Sequence, residues 1–233
     1  MGRIFKLPYQ PYVAGPKPNG HNERCVEVPW ALSVIPDEGG TILDVGYAYA
    51  EARWLHQLLE MSNLDIYGVD VADPCPRHNG MLQKYDLKQI KHDIRFPMEA
   101  KYKDMFDVVF CISTIEHLGY DNDWYFDKKE TPYESTAIDD KIALRNMMDV
   151  LKPGGKLALT VPYGKYQEHR HFRQYDRPRF GALIKPYKID RYDLFYYDGT
   201  GWRPATEEQC ADKYYGHYGF VSSSALACVL LTK

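Results

Sequence analysis

Of the 233 residues only five are cysteines (Cys25, Cys75, Cys111, Cys210 and Cys228), and no two of them form a Cys-x-x-Cys pair. An odd, scattered set of this kind excludes a zinc ribbon and a disulfide framework and fits a reducing, cytoplasmic setting. Surplus positive charge is lacking too: 29 Lys and Arg stand against 32 Asp and Glu, for a net charge of −3. Without a basic field the chain has no general grip on a nucleic-acid backbone, so no nucleic-acid partner is expected. No apolar run approaches the length of a membrane span, and Met1–Pro8 holds no apolar core of a signal peptide, so no membrane association is expected. Gly2 follows Met1, but Lys6 stands where a myristoylation signal has Ser or Thr. There are no internal repeats and no low-complexity tract.

What is present is an ordinary globular composition, 45% hydrophobic and 26% charged, in a length suited to one α/β domain with some insertion. Residues 1 to 22, rich in Pro, Gly and Asn, read as an extended arm, and 23 to 233 as the single domain. The chain is organised around Thr41-Ile-Leu-Asp44-Val-Gly46, a buried strand that ends in an acid and a glycine before a helical run from Glu51. A strand, tight turn and helix N-terminus in that order is where α/β sheets bind nucleotide-like ligands. Gly46 allows a close backbone approach, while Ala48 and Ala50 stand where a glycine-rich turn has further glycines. Gly46-Tyr-Ala-Tyr-Ala-Glu51 is therefore not the Gly-x-Gly-x-x-Gly of a dinucleotide site.

Further along, helical spacing marks 23–35 around Pro29, 51–61 through Ala52, Leu55, Leu58 and Leu59, and 138–151. Strands are expected at 64–70, ending in Asp70, at 85–87, at 104–113 and at 156–161, with Pro74, Pro76 and Gly80 placing a loop between the first two. The near-continuous apolar run Phe106–Ile112 suits a strand covered on both faces. His92-Asp93-Ile94 is expected at the edge of the same cleft. Residues 120 to 137, polar and aromatic without a period, read as an inserted loop or lid. The remainder reads as antiparallel, with strands at 190–197 and 225–232 joined through a turn at Gly199 and Gly201. Many of the 20 tyrosines lie in this last third, where rings with a polar tip suit a ligand cleft or a two-sided sheet edge.

Taken in order, Ile42-Leu-Asp-Val-Gly46, Tyr67-Gly-Val-Asp70, Phe106-Asp-Val-Val109 leading into Glu116-His117, and Leu151-Lys-Pro-Gly-Gly155 before Val161-Pro162 resemble the class I S-adenosylmethionine (SAM)-dependent methyltransferases. The resemblance covers about residues 40 to 165. It implies an α/β fold with a doubly wound, mostly parallel seven-stranded sheet and an antiparallel C-terminal strand. It implies SAM as cofactor, and a small-molecule acceptor as the partner. The oligomeric state is not read, a homodimer being allowed. Asp-Val-Gly-Tyr-Ala-Tyr-Ala-Glu, Cys-Ile-Ser-Thr-Ile-Glu-His and Phe172-Arg-Gln-Tyr-Asp176 look like a bacterial branch whose members accompany polysaccharide, sugar or natural-product assembly.

Carried over by position, the resemblance places Asp70 and Val71 at the ribose, Asp93 and Ile94 at the adenine, and Asp44, Gly46 and Ile112 around the cationic amino-acid end, with Tyr47 and Ala48 completing the cofactor set. Each acid also has a plainer reading as a helix cap or a solvated charge. For the proton of a hydroxyl acceptor, His169 is the first candidate base and His117 the second, against the alternative that both are structural hydrogen-bonders. Glu116-His117 with His169 does not complete a metal set, because Ser113 stands where a Glu-x-x-Glu-His motif has its first Glu, so no metal is expected. Ile112-Ser-Thr-Ile115 replaces the Asn/Asp-Pro-Pro-aromatic turn of enzymes that methylate nucleobase amines. Arg170, Arg173, Arg177 and Arg179 would hold a phosphate or carboxylate, or form a solvated basic face. The expected reaction is methyl transfer to a hydroxyl, with an amine second. A methyltransferase-fold scaffold and an NAD-dependent oxidoreductase or epimerase are the alternatives.

Overall fold

The computed structural model describes residues 22–120, 138–219 and 222–233. The arm expected at 1 to 22, apart from residue 22, and the insert expected at 120 to 137, apart from residue 120, lie outside the described residues.

Among the described residues there are ten strands and six α-helices. In chain order they are α1 (Arg24–Leu32), β1 (Gly40–Val45), α2 (Ala52–Leu59), β2 (Leu64–Asp70), α3 (Asn79–Lys84), β3 (Lys88–Lys91), β4 (Phe106–Ile112), α4 (Asp139–Val150), β5 (Leu151–Pro162), the short hairpin β6 (Gln167–Glu168) and β7 (Arg173–Gln174), α5 (Arg177–Ile184), β8 (Lys188–Tyr197), β9 (Trp202–Pro204), α6 (Glu207–Cys210) and β10 (Ala225–Thr232). One sheet runs in the order β3-β2-β1-β4-β5-β10-β8-β9. Strands β1 to β5 pair in parallel, and β10 enters antiparallel between β5 and β8. The expected architecture is therefore present, with one addition: β9 makes an eighth strand by pairing antiparallel with β8.

The strands read as apolar runs because both faces are covered. Along β10, Ala225, Ala227, Val229 and Leu231 join one core with Leu144, Met147 and Phe180 of α4 and α5. Leu226 and Cys228 join the other with Trp30, Trp54, Leu55 and Leu58 of α1 and α2. Neighbouring residues thus feed opposite layers, as the two-residue period of a strand requires. All five cysteines are free thiols. No helix among the described residues is long and apolar enough to cross a membrane.

Three expectations are corrected. The strand placed at 85–87 lies at Lys88–Lys91, where it pairs with Tyr67–Asp70 of β2. The loop around Pro74 and Gly80 contains α3. The antiparallel C-terminal part also holds helices. In α5 the Asp176 side chain accepts from the Arg179 backbone N–H at 3.0 Å, Pro178 fills the first turn, and Phe180, Leu183 and Ile184 form a buried stripe. Each is a helix-start signal in so short a segment that apolar periodicity alone does not reveal it.

Helix α1 carries a feature that governs the site. Cys25, Val26, Val28, Trp30 and Ala31 are buried, and so is Glu27, at 0% exposure. Its carboxylate accepts from Thr160 Oγ1 at 2.7 Å and from the Ser113 hydroxyl on one oxygen, and from the Arg24 guanidinium at 2.5 Å on the other. The helix is thereby pinned across the ends of β4 and β5. Glu27→Ala would leave a cation and two hydroxyls without their shared acceptor, a loss of about 3–5 kcal/mol for a buried pair broken on one side. The melting temperature is expected to fall by on the order of 10 °C. An unchanged melting curve would show that the buried carboxylate does not hold the helix in place.

Candidate active site

A cavity opens beyond the carboxyl ends of β1, β2 and β4, where the chain order of the strands reverses, the usual ligand position in such sheets. Its floor is Asp44, Val45 and Gly46. Gly46 sits at φ 89°, donates its N–H to Val69 O at 2.9 Å, and leaves no room for a Cβ because the Thr114 side chain occupies that place. Thr114 in turn donates to the carbonyls of Val45 and Ile112, both at 3.2 Å. The glycine is thus required by protein packing at the turn as well as by its place on the cavity wall.

Asp44 is 2% exposed and accepts from Trp54 Nε1 at 3.1 Å. Burial pushes its carboxyl up to about 7, with the charge of Asp70 adding to the effect against the Trp54 hydrogen bond. Asp70 accepts from the backbone N–H groups of Ala48 at 3.1 Å and Ala72 at 2.9 Å, tying the turn after β1 to the turn after β2. Burial raises its pKa, and the Ala72, Ala48 and Val71 amides act in the opposite sense. Val71 and Ala72 continue the wall, and His92, Asp93 and Ile94 close it beyond β3. There Arg95 holds Asp93 with its side chain, and Asn146 Nδ2 donates to Ile94 O at 2.8 Å.

The lining also includes Ile112 at the end of β4, Ser113, Thr114 and His117 beyond it, and Arg24 and Val28 from α1. Ser113 is a non-glycine residue at φ 44°, held there by bonds from its N–H to Thr160 O at 3.2 Å and Thr160 Oγ1 at 3.1 Å and by its hydroxyl on Glu27. Burial lowers the Arg24 pKa, but the carboxylates of Glu27, Glu23 and Glu116 more than offset it, so the guanidinium stays charged. Burial pushes Glu116 well above the usual carboxylate range. Among the described residues no group of three or more His, Cys, Asp or Glu side chains is placed to hold a metal ion.

The expected cofactor set is therefore divided by the structure. Asp44, Gly46, Asp70, Val71, Asp93, Ile94 and Ile112 line one cavity, and Tyr47 and Ala48 do not. The Tyr47 ring packs over Gly68 of β2, where any side chain would collide with it, and its hydroxyl donates to Gln89 Oε1 at 3.2 Å. Ala48 is buried, and its backbone serves Asp70. The histidines separate as well. His117 lines the cavity and its Nδ1 lies 2.8 Å from His171 O. His169 is outside the lining, stacked on Phe172 at 4.4 Å, with Nε2 buried and without a hydrogen-bond partner. Burial lowers its pKa. Arg24, Glu51 and Trp54 also line the cavity and are not among the sequence candidates. A signal for Arg24 and Glu27 existed: an oppositely charged i, i+3 pair in a helix apolar on most sides.

A family model described as a methyltransferase domain matches residues 22–227. The chain belongs to this family. It is a SAM-dependent methyltransferase. The enzyme reading thus displaces the scaffold and the oxidoreductase. No curated protein matches the methyltransferase. Among solved structures it is similar to the 1,6-didemethyltoxoflavin-N1-methyltransferase of Burkholderia thailandensis with bound 1,6-didemethyltoxoflavin and S-adenosylhomocysteine, at 12% identity over 84% of this chain and 72% of that one, with a TM-score of 0.54. It is also similar to the N-methyltransferase NodS of Bradyrhizobium japonicum in complex with S-adenosylhomocysteine, at 12% identity over 89% and 94% of the two chains and a TM-score of 0.50. The cyclase SpnF matches at 12% identity over 92% and 86%, with a TM-score of 0.55. At such identities the likeness is one of fold, and the acceptor must be argued from this methyltransferase's own residues.

Proposed function

We propose that the methyltransferase transfers the methyl group of SAM to a hydroxyl of a small polar acceptor, a sugar, glycan precursor or natural product, with an amine as the second choice. SAM supplies an electrophilic methyl on a sulfonium, so the protein's tasks are to hold the two reactants in line, exclude water and take the acceptor's proton. The observation that carries the hydroxyl reading is His117. A neutral imidazole whose Nδ1–H donates to the His171 carbonyl keeps its lone pair on Nε2, the tautomer a general base needs.

The cavity suits the cofactor's parts. Asp70, on the wall, has lone pairs beyond those used by two amides and would accept from the ribose hydroxyls. Asp93 would accept from the adenine amino group and Ile94 would pack on the ring. Asp44, buried and accepting from the Trp54 indole N–H, would face the cationic amino-acid end, and Arg24 its carboxylate. Labelled SAM offered to matched polyol and amine acceptors tests the reading. Transfer to amines alone would overturn the hydroxyl assignment.

The Asp44 placement has a pH consequence. With its carboxyl pushed up to about 7, Asp44 is partly protonated in the free enzyme at neutral pH. A cation beside it favours the carboxylate, so cofactor binding would release up to one proton and tighten as pH rises from about 6 to 8. Asp44→Asn, which keeps an acceptor for Trp54 and removes the titration, is expected to flatten that dependence and weaken binding. Calorimetry in two buffers of different ionisation enthalpy counts the proton. Binding with no proton released would place the cation elsewhere.

A further inference from the structure

We infer that Arg95 is a positioning residue for cofactor recognition, which fixes the Asp93 carboxylate so that it accepts from the exocyclic amino group of the purine and rejects a purine carrying oxygen there. The inference rests on the reading of Asp93 as the adenine contact.

Asp93 lies in the loop after β3, where nothing in the strand ladder fixes its side chain. Arg95 does so from both sides. Its backbone N–H donates to Asp93 Oδ1 at 3.0 Å, and its Nε lies 3.0 Å from each carboxylate oxygen while a terminal nitrogen reaches Oδ2 at 2.7 Å. The other terminal nitrogen extends to Asp139 Oδ2 at 3.4 Å, in the first turn of α4. Side-chain exposure falls along this chain from 19% at Asp93 to 10% at Arg95 and 0% at Asp139, so the clamp runs inward from the cavity wall to the core. Asn146, on the same helix, holds the next carbonyl, Ile94 O. A planar fork on a carboxylate sets the orientation of its plane, which a single ammonium cannot do.

The two oxygens offer four acceptor positions to three N–H donors of Arg95, the Nε–H being shared between them, so capacity remains for one ligand N–H. An ionised carboxylate only accepts. A 6-amino purine donates to it, whereas a 6-oxo purine presents an acceptor to an acceptor. Discrimination of that kind depends on the carboxylate being held against the purine edge, because a mobile side chain would swing away from the unfavourable partner.

The test is the ratio of dissociation constants for S-adenosylhomocysteine and its 6-oxo analogue, S-inosylhomocysteine, measured by calorimetry on the full chain. The wild type is expected to prefer the adenosyl ligand by about tenfold or more. Arg95→Gln should cut that preference to about threefold or less, chiefly by weakening the adenosyl ligand. Arg95→Lys keeps the charge beside Asp139 and loses the fork, so it should fall between the two and serves if the glutamine variant does not fold. A loop that is merely loosened weakens both ligands alike and leaves the ratio intact. If both Arg95 variants keep the wild-type ratio while Asp93→Ala abolishes it, Arg95 is only a loop staple and the inference is wrong. If Asp93→Ala also keeps the ratio, the adenine contact lies elsewhere and the inference falls with that reading.

Discussion

Asp70→Ala is expected to weaken SAM binding at least tenfold. The carboxylate stands at the end of β2, on the cavity wall, and its two oxygens already receive the amides of Ala48 and Ala72. Those bonds fix its direction, so little conformational freedom is lost when a ligand's hydroxyls add to it. Each hydrogen bond to a charged acceptor contributes about 1.5–3 kcal/mol, so losing one ribose contact alone accounts for a factor of ten and losing both for considerably more. The alanine variant also frees the two amides, which loosens the turn that carries Gly46. Asp70→Asn separates the effects, since an amide oxygen can keep one backbone partner while the charge is gone. Calorimetry with SAM and with S-adenosylhomocysteine measures the loss. A folded Asp70→Ala protein with an unaltered dissociation constant would remove Asp70 from the cofactor site.

The parts of this fold that the sequence announces are those where one physical cause dominates. β2 and β10 have the expected bounds, Leu64–Asp70 and Ala225–Thr232: β10 because a strand covered on both faces is apolar nearly throughout and ends where that pattern ends, and β2 because Asp70 closes its apolar stretch. Asp70 is legible for a related reason, an acid closing an apolar run at the ligand edge of the sheet. The hairpin of β6 and β7 is only two residues on each side, and β9 three, too short for any period to register. Tyr47 is expected in the cofactor set, yet its ring turns onto Gly68, a contact between residues 21 apart in the chain that no local pattern encodes. Arg24 and Glu27 are the converse case. Charge ordinarily marks a solvated face, and only the strand ends assembled around α1, with Ser113 and Thr160 as partners, make burial of that carboxylate tolerable. The sequence puts His169 ahead of His117, but which of them lines the cavity depends on how the β6–β7 hairpin folds back, and no local pattern encodes that.

That fold-back gives the second large effect. His117→Ala is expected to lower turnover on a hydroxyl acceptor by roughly 10²–10⁴ while leaving SAM affinity nearly unchanged, the magnitude of general-base catalysis. The hairpin brings the His171 carbonyl to 2.8 Å from His117 Nδ1 and the Phe172 ring to 5.7 Å from the imidazole, so both the tautomer and the ring's place are held by neighbours that are not themselves on the cavity wall. His169, the first candidate by sequence, stacks on Phe172 of the same hairpin and lies tilted against Tyr215. Its Nε2 is buried with no hydrogen-bond partner, and burial lowers its pKa, so it remains neutral in the folded protein at and above neutral pH. His169→Ala is accordingly expected to cost stability through lost stacking and to change turnover only as far as the hairpin shifts. The pH profile divides the two roles. A base acts in its unprotonated form, so turnover of the wild type should rise with pH and level off, and His117→Ala should lose that rise while His169→Ala keeps it. Should His169→Ala instead abolish the rise and His117→Ala retain near-native turnover, the proton would leave by way of His169 and the hairpin would have to open during the reaction.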